Sequence, residues 1–415
     1  MSHPHALIAG AGIGGLSAAL CLVRAGWQVS IFDCAPALEE VGAGLQLSPN
    51  ATAILRRLDV IERLAPSSLT PEAIRVRRAS DGATLALMKL GDAESRWGAP
   101  YLLAHRADLQ RALLDAAAKE DAIRIHTGVA VAGFAAGADG VVAALRQGVV
   151  RVEAAGDCLI GADGSRSLIR AKLLGGAPDA LQFSKRTAWR ALVPAGRAGA
   201  EALRPESCLW LGRKAHLVHY PLRGGSVVNV VAIVEDDEGP SALDSGWSNQ
   251  GDSDFLKARF STWHDAARSL IGGAADWRKW RLIDRDPLPA WSAGRVALLG
   301  DAAHPMLPFL AQGAAQAIED AGALGDALQQ TAGRDEGAVS RALAAYAAAR
   351  IDRASRVQRE SRAQAKIYHL DGAAAFARDM AIRALGGERM LARYDWLYDA
   401  RSQSAAPARD RRIRA

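Results

Sequence analysis

Cysteine is scarce in this chain: four residues, Cys21, Cys34, Cys158 and Cys208, in 415. None forms a C-x-x-C pair and no spacing matches a metal site. A disulfide scaffold and a zinc module are therefore excluded, no metal is expected, and the thiols read as reduced residues of a cytoplasmic protein. Long apolar runs are missing too; no stretch approaches the roughly 18–20 residues that cross a bilayer, so no membrane partner is expected. Met-Ser-His-Pro leads straight into a strand-like run, and no signal peptide is expected. No internal repeat is visible. Basic charge is present without a nucleic-acid motif. The formal net charge is +6, and most of the excess lies in "RSQSAAPARDRRIRA" at 401–415, with five arginines against Asp410. That segment reads as a disordered solubilising tail; the alternative, a nucleic-acid arm, has no recognition motif behind it. The remainder is ordinary: 50% hydrophobic and 23% charged, a soluble globular composition, with length for two or three domains.

What is abundant is glycine in a particular place. "LIAGAGIGGLSAAL", from Leu7, contains Gly10, Gly12 and Gly15 as G-x-G-x-x-G, with Gly14 between. "HALIA" before it is a short apolar run. Leu16, Ala19, Leu20 and Val23 after it share one helical face, which Gly26 is placed to end. "QVSIFD" then reads as a second strand closing on Asp33. Strand, glycine turn, helix and strand are the context that gives the motif meaning. Gly10 permits the tight turn, Gly12 lets backbone approach a pyrophosphate, and Gly15 lets helix and strand pack closely. The helix N-terminus offers free N–H groups to phosphate. Asp33 lies where an acid binds a ribose 2′-hydroxyl, which argues against a 2′-phosphate in this site. NAD and FAD both remain open at this point.

Two later motifs follow the same plan. In "GDCLIGADGSRSLIRAKL", from Gly156, a buried-strand run meets a turn at Asp163–Gly164, and a helix restarts beyond it. In "GRVALLGDAAHPMLPFLAQGAAQAIEDAGALGDAL", from Gly294, a strand ends on Asp301. After a proline-containing loop, Ile318, Ala321, Leu324 and Leu328 mark a helical face. A helix starting near Gly313 points its positive end at whatever sits before it.

With these three motifs in order, together with "GAGLQLSPNATAILRRLDV" (from Gly42) and "HRADLQRALLDAA" (from His105), the chain resembles the group A FAD-dependent aromatic monooxygenases. It is most similar to their salicylate hydroxylase-like branch, which includes 3-hydroxybenzoate 6-hydroxylases and 6-hydroxynicotinate 3-monooxygenases. The resemblance spans residues 7 to about 330. It implies an α/β fold: a discontinuous Rossmann-like FAD-binding domain over 1–180 and 285–340, with 71–100 able to join the substrate side. An antiparallel substrate domain is inserted at 181–284, and C-terminal helices over 341–400 cover the flavin domain or a dimer face. It implies bound FAD, with NADH or NADPH and O2 as cosubstrates. Asp33, followed by Cys34 where relatives carry Arg or Lys, would hold the adenosine ribose. Arg106 would sit near the pyrophosphate and ribityl region, and Val129 would present backbone to the adenine. Asp163 would serve FAD and NAD(P)H binding, Asp301 the ribityl chain, and Gly313 and Ala314 the flavin N1–C2=O edge.

The substrate half is β-rich. "HYPLRGGSVVNVV" reads as a hairpin with a short glycine loop. His216 and Tyr220 lie on one strand face, about 13 Å apart at ~3.3 Å per residue, with His219 facing the other way. In the relatives a His and a Tyr at this spacing contact substrate, so both are nominated as orienting and deprotonating partners; packing roles are the alternative. Arg190, in "WRALVP", is a candidate for a substrate carboxylate or for a structural ion pair, and His304 is expected to hydrogen-bond within its own loop. No side chain activates O2, so the cofactor must. The expected reaction is hydroxylation of a small aromatic substrate through a flavin C4a-hydroperoxide, by a monomer or homodimer. The alternatives are another substrate on the same fold, such as urate, or a flavin-binding regulatory protein.

Overall fold

The computed structural model describes residues 3–38, 44–175, 181–236, 249–331 and 337–403. Its parallel sheet comprises β1 (His5–Ala9), β2 (Gln28–Asp33), β7 (Ile123–Thr127), β11 (Cys158–Gly161), β18 (Ser292–Ala293) and β19 (Val296–Leu298). Their order is β18-β19-β11-β1-β2-β7, and every pair is parallel except β18 with β19. The near-continuous apolar character of β1 and β11 follows from cover on both faces. Around this sheet lie α1 (Ile13–Arg24), α2 (Pro49–Arg57), α3 (Arg106–Ala117) and α4 (Leu168–Leu173). Leu16, Ala19 and Leu20 of α1 are buried, as their spacing requires.

The second large sheet holds β4 (Ala73–Arg78), β5 (Thr84–Lys89), β12 (Gln182–Pro194), β13 (Glu206–Gly212), β14 (Ala215–Leu222), β15 (Val227–Glu235), β16 (Asn249–Gln250) and β17 (Arg278–Asp284). It runs β16-β17-β12-β15-β14-β13-β4-β5, antiparallel apart from β13 with β4. The β14–β15 hairpin turns through Arg223, Gly224 and Gly225, all at positive φ. One face, bearing Ala215, Leu217, Val228, Val230 and Ala232, packs under α5 (Ser253–Arg259) and α6 (Asp265–Gly273). The opposite face bears Val218, Tyr220 and Leu222 and meets Tyr101, Val357 and Leu391.

Three long helices dominate the C-terminal part of the described chain: α7 (Gly313–Leu328), α8 (Ala338–Tyr368) and α9 (Gly372–Ala392). The fold adds to the sequence reading in two places. Within the span expected for the FAD-binding domain, a separate three-stranded antiparallel sheet forms from β8 (Ala130–Ala136), β9 (Val141–Gln147) and β10 (Val150–Gly156). A two-stranded ribbon joins β3 (Gly44–Leu47) to β6 (Leu102–His105). Of the C-terminal helices expected over 341–400, α9 lies on β5 of the large sheet; Gly387 lets it come so close that a Cβ there would meet the Leu87 carbonyl. The tail expected to be disordered lies, beyond Gln403, outside the described residues.

Candidate active site

Parallel pairing places the ends of β1, β2, β11 and β19 at one edge, where ligands bind in open α/β sheets. The three motif turns meet there. Gly10, at φ +102°, approaches the second motif so closely that a Cβ on it would lie 2.4 Å from the Ala162 carbonyl oxygen. A Cβ on Gly15 would lie 2.0 Å from the Gly10 carbonyl oxygen, so Gly15 is fixed by packing. A Cβ on Gly14 would meet Leu299 of the third motif and Ala317 of α7. The Gly10 N–H donates to the Phe32 carbonyl at 2.7 Å, and the Leu299 N–H to Gly161 at 2.9 Å.

The other nominated residues distribute around this edge. Asp33 ends β2; its carboxylate accepts from the N–H of Ala11 at 2.7 Å and of Ala35 at 2.8 Å, which fixes it beside the first glycine turn. Cys34, next in the chain, is exposed. Val129 is buried, and its N–H donates to the Asp33 carbonyl at 2.9 Å, joining it to the same corner. Arg106 opens α3, capped by the ring of His105. One Asp163 oxygen accepts from the N–H groups of Leu168 and Ile169 at the start of α4, and its other oxygen is buried with no partner among the described residues. Asp301 is exposed in a short 3-10 turn after β19. Gly313 and Ala314 begin α7, whose N-cap, Gln312, lends its first turn no side-chain hydrogen bond.

On the large sheet His216 and Tyr220 share a face and His219 faces the opposite way, toward Trp210. Their immediate surroundings differ. His216 lines an apolar chamber of about 550 Å³ between the sheet, α8, α9 and the Pro308–Ala311 loop that leads into α7. Its ring lies 5.3 Å from that of Phe309 and 5.2 Å from that of Tyr368. Tyr220 does not line that chamber. It packs against Gly44, where a Cβ would lie 2.5 Å from its ring, and beside Asn229 and Arg190. The Asn229 side-chain oxygen accepts the Gly44 N–H at 2.8 Å, while its amide nitrogen is buried with no acceptor among the described residues. Arg190 sits with its guanidinium 4.0 Å from the centroid of Trp280. Its Nε has no acceptor among the described residues, and burial pulls its pKa down to about 10. The structural ion pair considered for Arg190 is not formed among the described residues. Burial also pushes the Tyr220 hydroxyl up, against Arg190, so it stays protonated.

Behind the flavin-side loop lies a buried polar network that sequence reading missed. His304 bonds not within its own loop but to Asp320 of α7, Nε2 to Oδ2 at 2.6 Å. Asp320 also accepts from the Gly300 N–H at 3.0 Å and from Arg350 Nε at 2.7 Å. Arg350 and Arg353 of α8 both bind Glu319. Asn50, Gln316 and Gln312 complete the network, tying it to the N-cap of α7. Burial raises the Asp320 carboxyl, but His304 and Arg350 outweigh it and hold it at about 2. A signal was present: adjacent acids on an apolar helix face, with Arg350 and Arg353 in an alanine-rich run, require burial as pairs.

The residues fit an FAD. Beyond Gly12, whose φ of −70° is ordinary, nothing stands within 4 Å of where a Cβ would be; the same holds at Gly313. Each position opens a helix without a side-chain cap, leaving first-turn N–H groups and the positive dipole end facing that space. The orphaned amide of Asn229 and the Nε of Arg190 add donors in search of acceptors near Tyr220.

The comparisons agree. The FAD binding domain family matches residues 4–361. The 3-hydroxybenzoate 6-hydroxylase 1 of Aquipseudomonas alcaligenes is 39% identical over 399 residues, covering 95% of this chain and 98% of that protein. The 6-hydroxynicotinate 3-monooxygenase of Pseudomonas fluorescens is 35% identical over 364 residues, 86% of this chain and 90% of its own length. Among solved structures, Klebsiella pneumoniae HpxO complexed with FAD and uric acid superposes with a TM-score of 0.83 at 27% identity, covering 97% of each chain. A salicylate hydroxylase substrate complex gives 0.82 at 26% identity, covering 98% of this chain and 100% of that one. The chain belongs to the FAD binding domain family.

Proposed function

We propose that this member of the FAD binding domain family is a monooxygenase that hydroxylates a small aromatic acid of the salicylate, hydroxybenzoate or hydroxynicotinate type. Bound FAD supplies the chemistry no side chain can, taking electrons from NAD(P)H and activating O2. Gly10, Gly12, Gly14 and Gly15 form the turn that would receive the pyrophosphate, with Arg106 near it. Asp33, followed by Cys34, and the backbone of Val129 serve the adenosine end, Asp163 and Asp301 the middle, and Gly313 and Ala314 the flavin edge. His216 and Tyr220 orient the aromatic ring on the sheet face. The lining of the chamber beside His216 is mostly apolar, which disfavours water there, and a dry site favours productive oxygen transfer.

The observation that carries the reading is Arg190: a cation without a carboxylate partner among the described residues, beside Tyr220 and Asn229, on a mostly apolar sheet face. A planar guanidinium recognises carboxylate through paired, charge-assisted hydrogen bonds. Purified protein should be yellow, and NAD(P)H oxidation should rise with one member of a panel of hydroxybenzoates, anthranilate, hydroxynicotinate and urate. For that acid, Arg190→Gln should raise KM by about 100-fold, in line with loss of a buried charged contact. An unchanged KM removes Arg190 from the site, and a yellow protein that oxidises no NAD(P)H with any ligand points to a regulatory flavoprotein.

A further inference from the structure

His216 has a neighbour that fixes its proton. Its Nδ1 lies 2.8 Å from Nε2 of His369, the residue that caps the C-terminus of α8. On its other side the His369 ring meets Arg186 of β12, whose Nε–H donates to His369 Nδ1 at 3.2 Å. Arg186 is anchored in turn, donating to the Ser184 carbonyl at 2.9 Å and to Glu235 at 3.5 Å. Both histidines are buried.

A guanidinium only donates, so the proton sequence along this chain has one solution. His369 Nδ1 must accept from Arg186, and its single proton therefore sits on Nε2. That N–H donates to His216 Nδ1, so the His216 proton sits on its own Nε2. Glu235, 3.5 Å from His369 Nδ1, does not reverse the assignment, because two hydrogens cannot face each other across the Arg186–His369 contact. Both rings are neutral. Burial first, then Arg186, pushes His216 down to about 3; burial, His216 and Arg186 push His369 to about 2. Arg259 and Arg378 add cationic charge around His369, against Glu235.

We propose that Arg186 and His369 are positioning residues that lock His216 as a hydrogen-bond donor, presenting Nε2–H to an anionic oxygen of the aromatic substrate. His216 then does not remove the substrate's proton: its outward nitrogen is already protonated and its inward nitrogen is occupied. It acts instead by stabilising the substrate anion through donation. The inference deepens the proposed function and rests on it for the identity of the acceptor. The tautomer itself does not depend on that reading.

The test uses full-length, FAD-loaded protein labelled with ¹⁵N on histidine. Long-range ¹H–¹⁵N correlation spectra report which imidazole nitrogen carries hydrogen; the signals are assigned by their loss in His216→Asn and His369→Gln. Neutral rings protonated at Nε2 for both residues are expected. A signal for Nδ1–H or imidazolium at either residue overturns the proposal. The spectra decide this even if no aromatic acid is turned over, an outcome that would instead sink the proposed function. Kinetics with 3-hydroxybenzoate add a second readout. His369→Leu should raise KM about ten-fold with a smaller change in kcat, because His216, no longer held, donates less well to the charged substrate oxygen. His369→Gln, whose amide can donate to His216, should recover most of the loss. A glutamine variant as impaired as the leucine variant contradicts the proposal.

Discussion

Gly12→Val should separate a loss of FAD binding from a loss of stability. Its backbone is extended and nothing crowds its missing Cβ, so Gly12→Val should leave apo-protein stability within about 0.5 kcal/mol. The added side chain fills the cradle at the start of α1. FAD affinity should fall at least about 100-fold, since charged hydrogen bonds there are each worth ~1.5–3 kcal/mol. Flavin titration and thermal melts together check this; a variant that keeps its yellow colour refutes the cradle. At His216 the expectation concerns coupling. His216→Ala should depress product formation more than flavin reduction by NAD(P)H, read as NAD(P)H consumed per product; unchanged coupling removes His216 from the site. His219 gives a pH prediction free of the site. Burial first, then Arg77, drives it from 6.5 to about 3. Its folded pKa lies below its unfolded one, so between those values only the unfolded chain takes the proton, and stability falls as pH drops from about 6.5 toward 3. His219→Leu should flatten that slope by up to about 1.4 kcal/mol per pH unit, measured from urea midpoints.

At the scale of elements, α7 is where the account concentrates. Its first turn carries no side-chain cap, and its next turns carry Glu319 and Asp320 into the buried network with Arg350. Arg350→Met removes the cation shared by both acids and leaves Glu319 to Arg353 and Asp320 to His304 alone, a cost of about 3 kcal/mol, at the low end for breaking a buried ion pair. The melting temperature should drop accordingly and FAD should dissociate faster, because Gln316, Gln312 and Asn50 lose their alignment. A stability change below about 1 kcal/mol would show that the network is not a structural unit. These elements were legible in the sequence to different degrees. The start of α7 at Gly313, the hairpin loop at Arg223–Gly225 and the long helix ending near Tyr368 follow from local patterns of glycine and apolar period. The pairing of His304 with Asp320, and of His216 with His369, joins segments 16 and 153 residues apart, and no local pattern carries that information.

For the whole molecule, one sheet edge gathers four strand ends, and a second sheet lays a mostly apolar face with a few polar groups against the same region. The three glycine and aspartate motifs made the first part readable from the chain alone, because each turn obeys a geometric need. The second part was readable only as alternation: it put His216 and Tyr220 on one face, yet not in separate surroundings, since that depends on how α8 and α9 cover the sheet. Arg190, proposed to receive the substrate carboxylate, was nominated with an ion pair as its rival; among the described residues its guanidinium packs against Trp280 and pairs with no carboxylate. The most direct test of the central claim is the fate of molecular oxygen. FAD-loaded protein is given NAD(P)H, the best aromatic acid of the panel and ¹⁸O₂, and the product is weighed by mass spectrometry. One heavy oxygen on the ring is the predicted result. Oxidation of NAD(P)H with hydrogen peroxide as the sole oxygen product for every acid in the panel would contradict it.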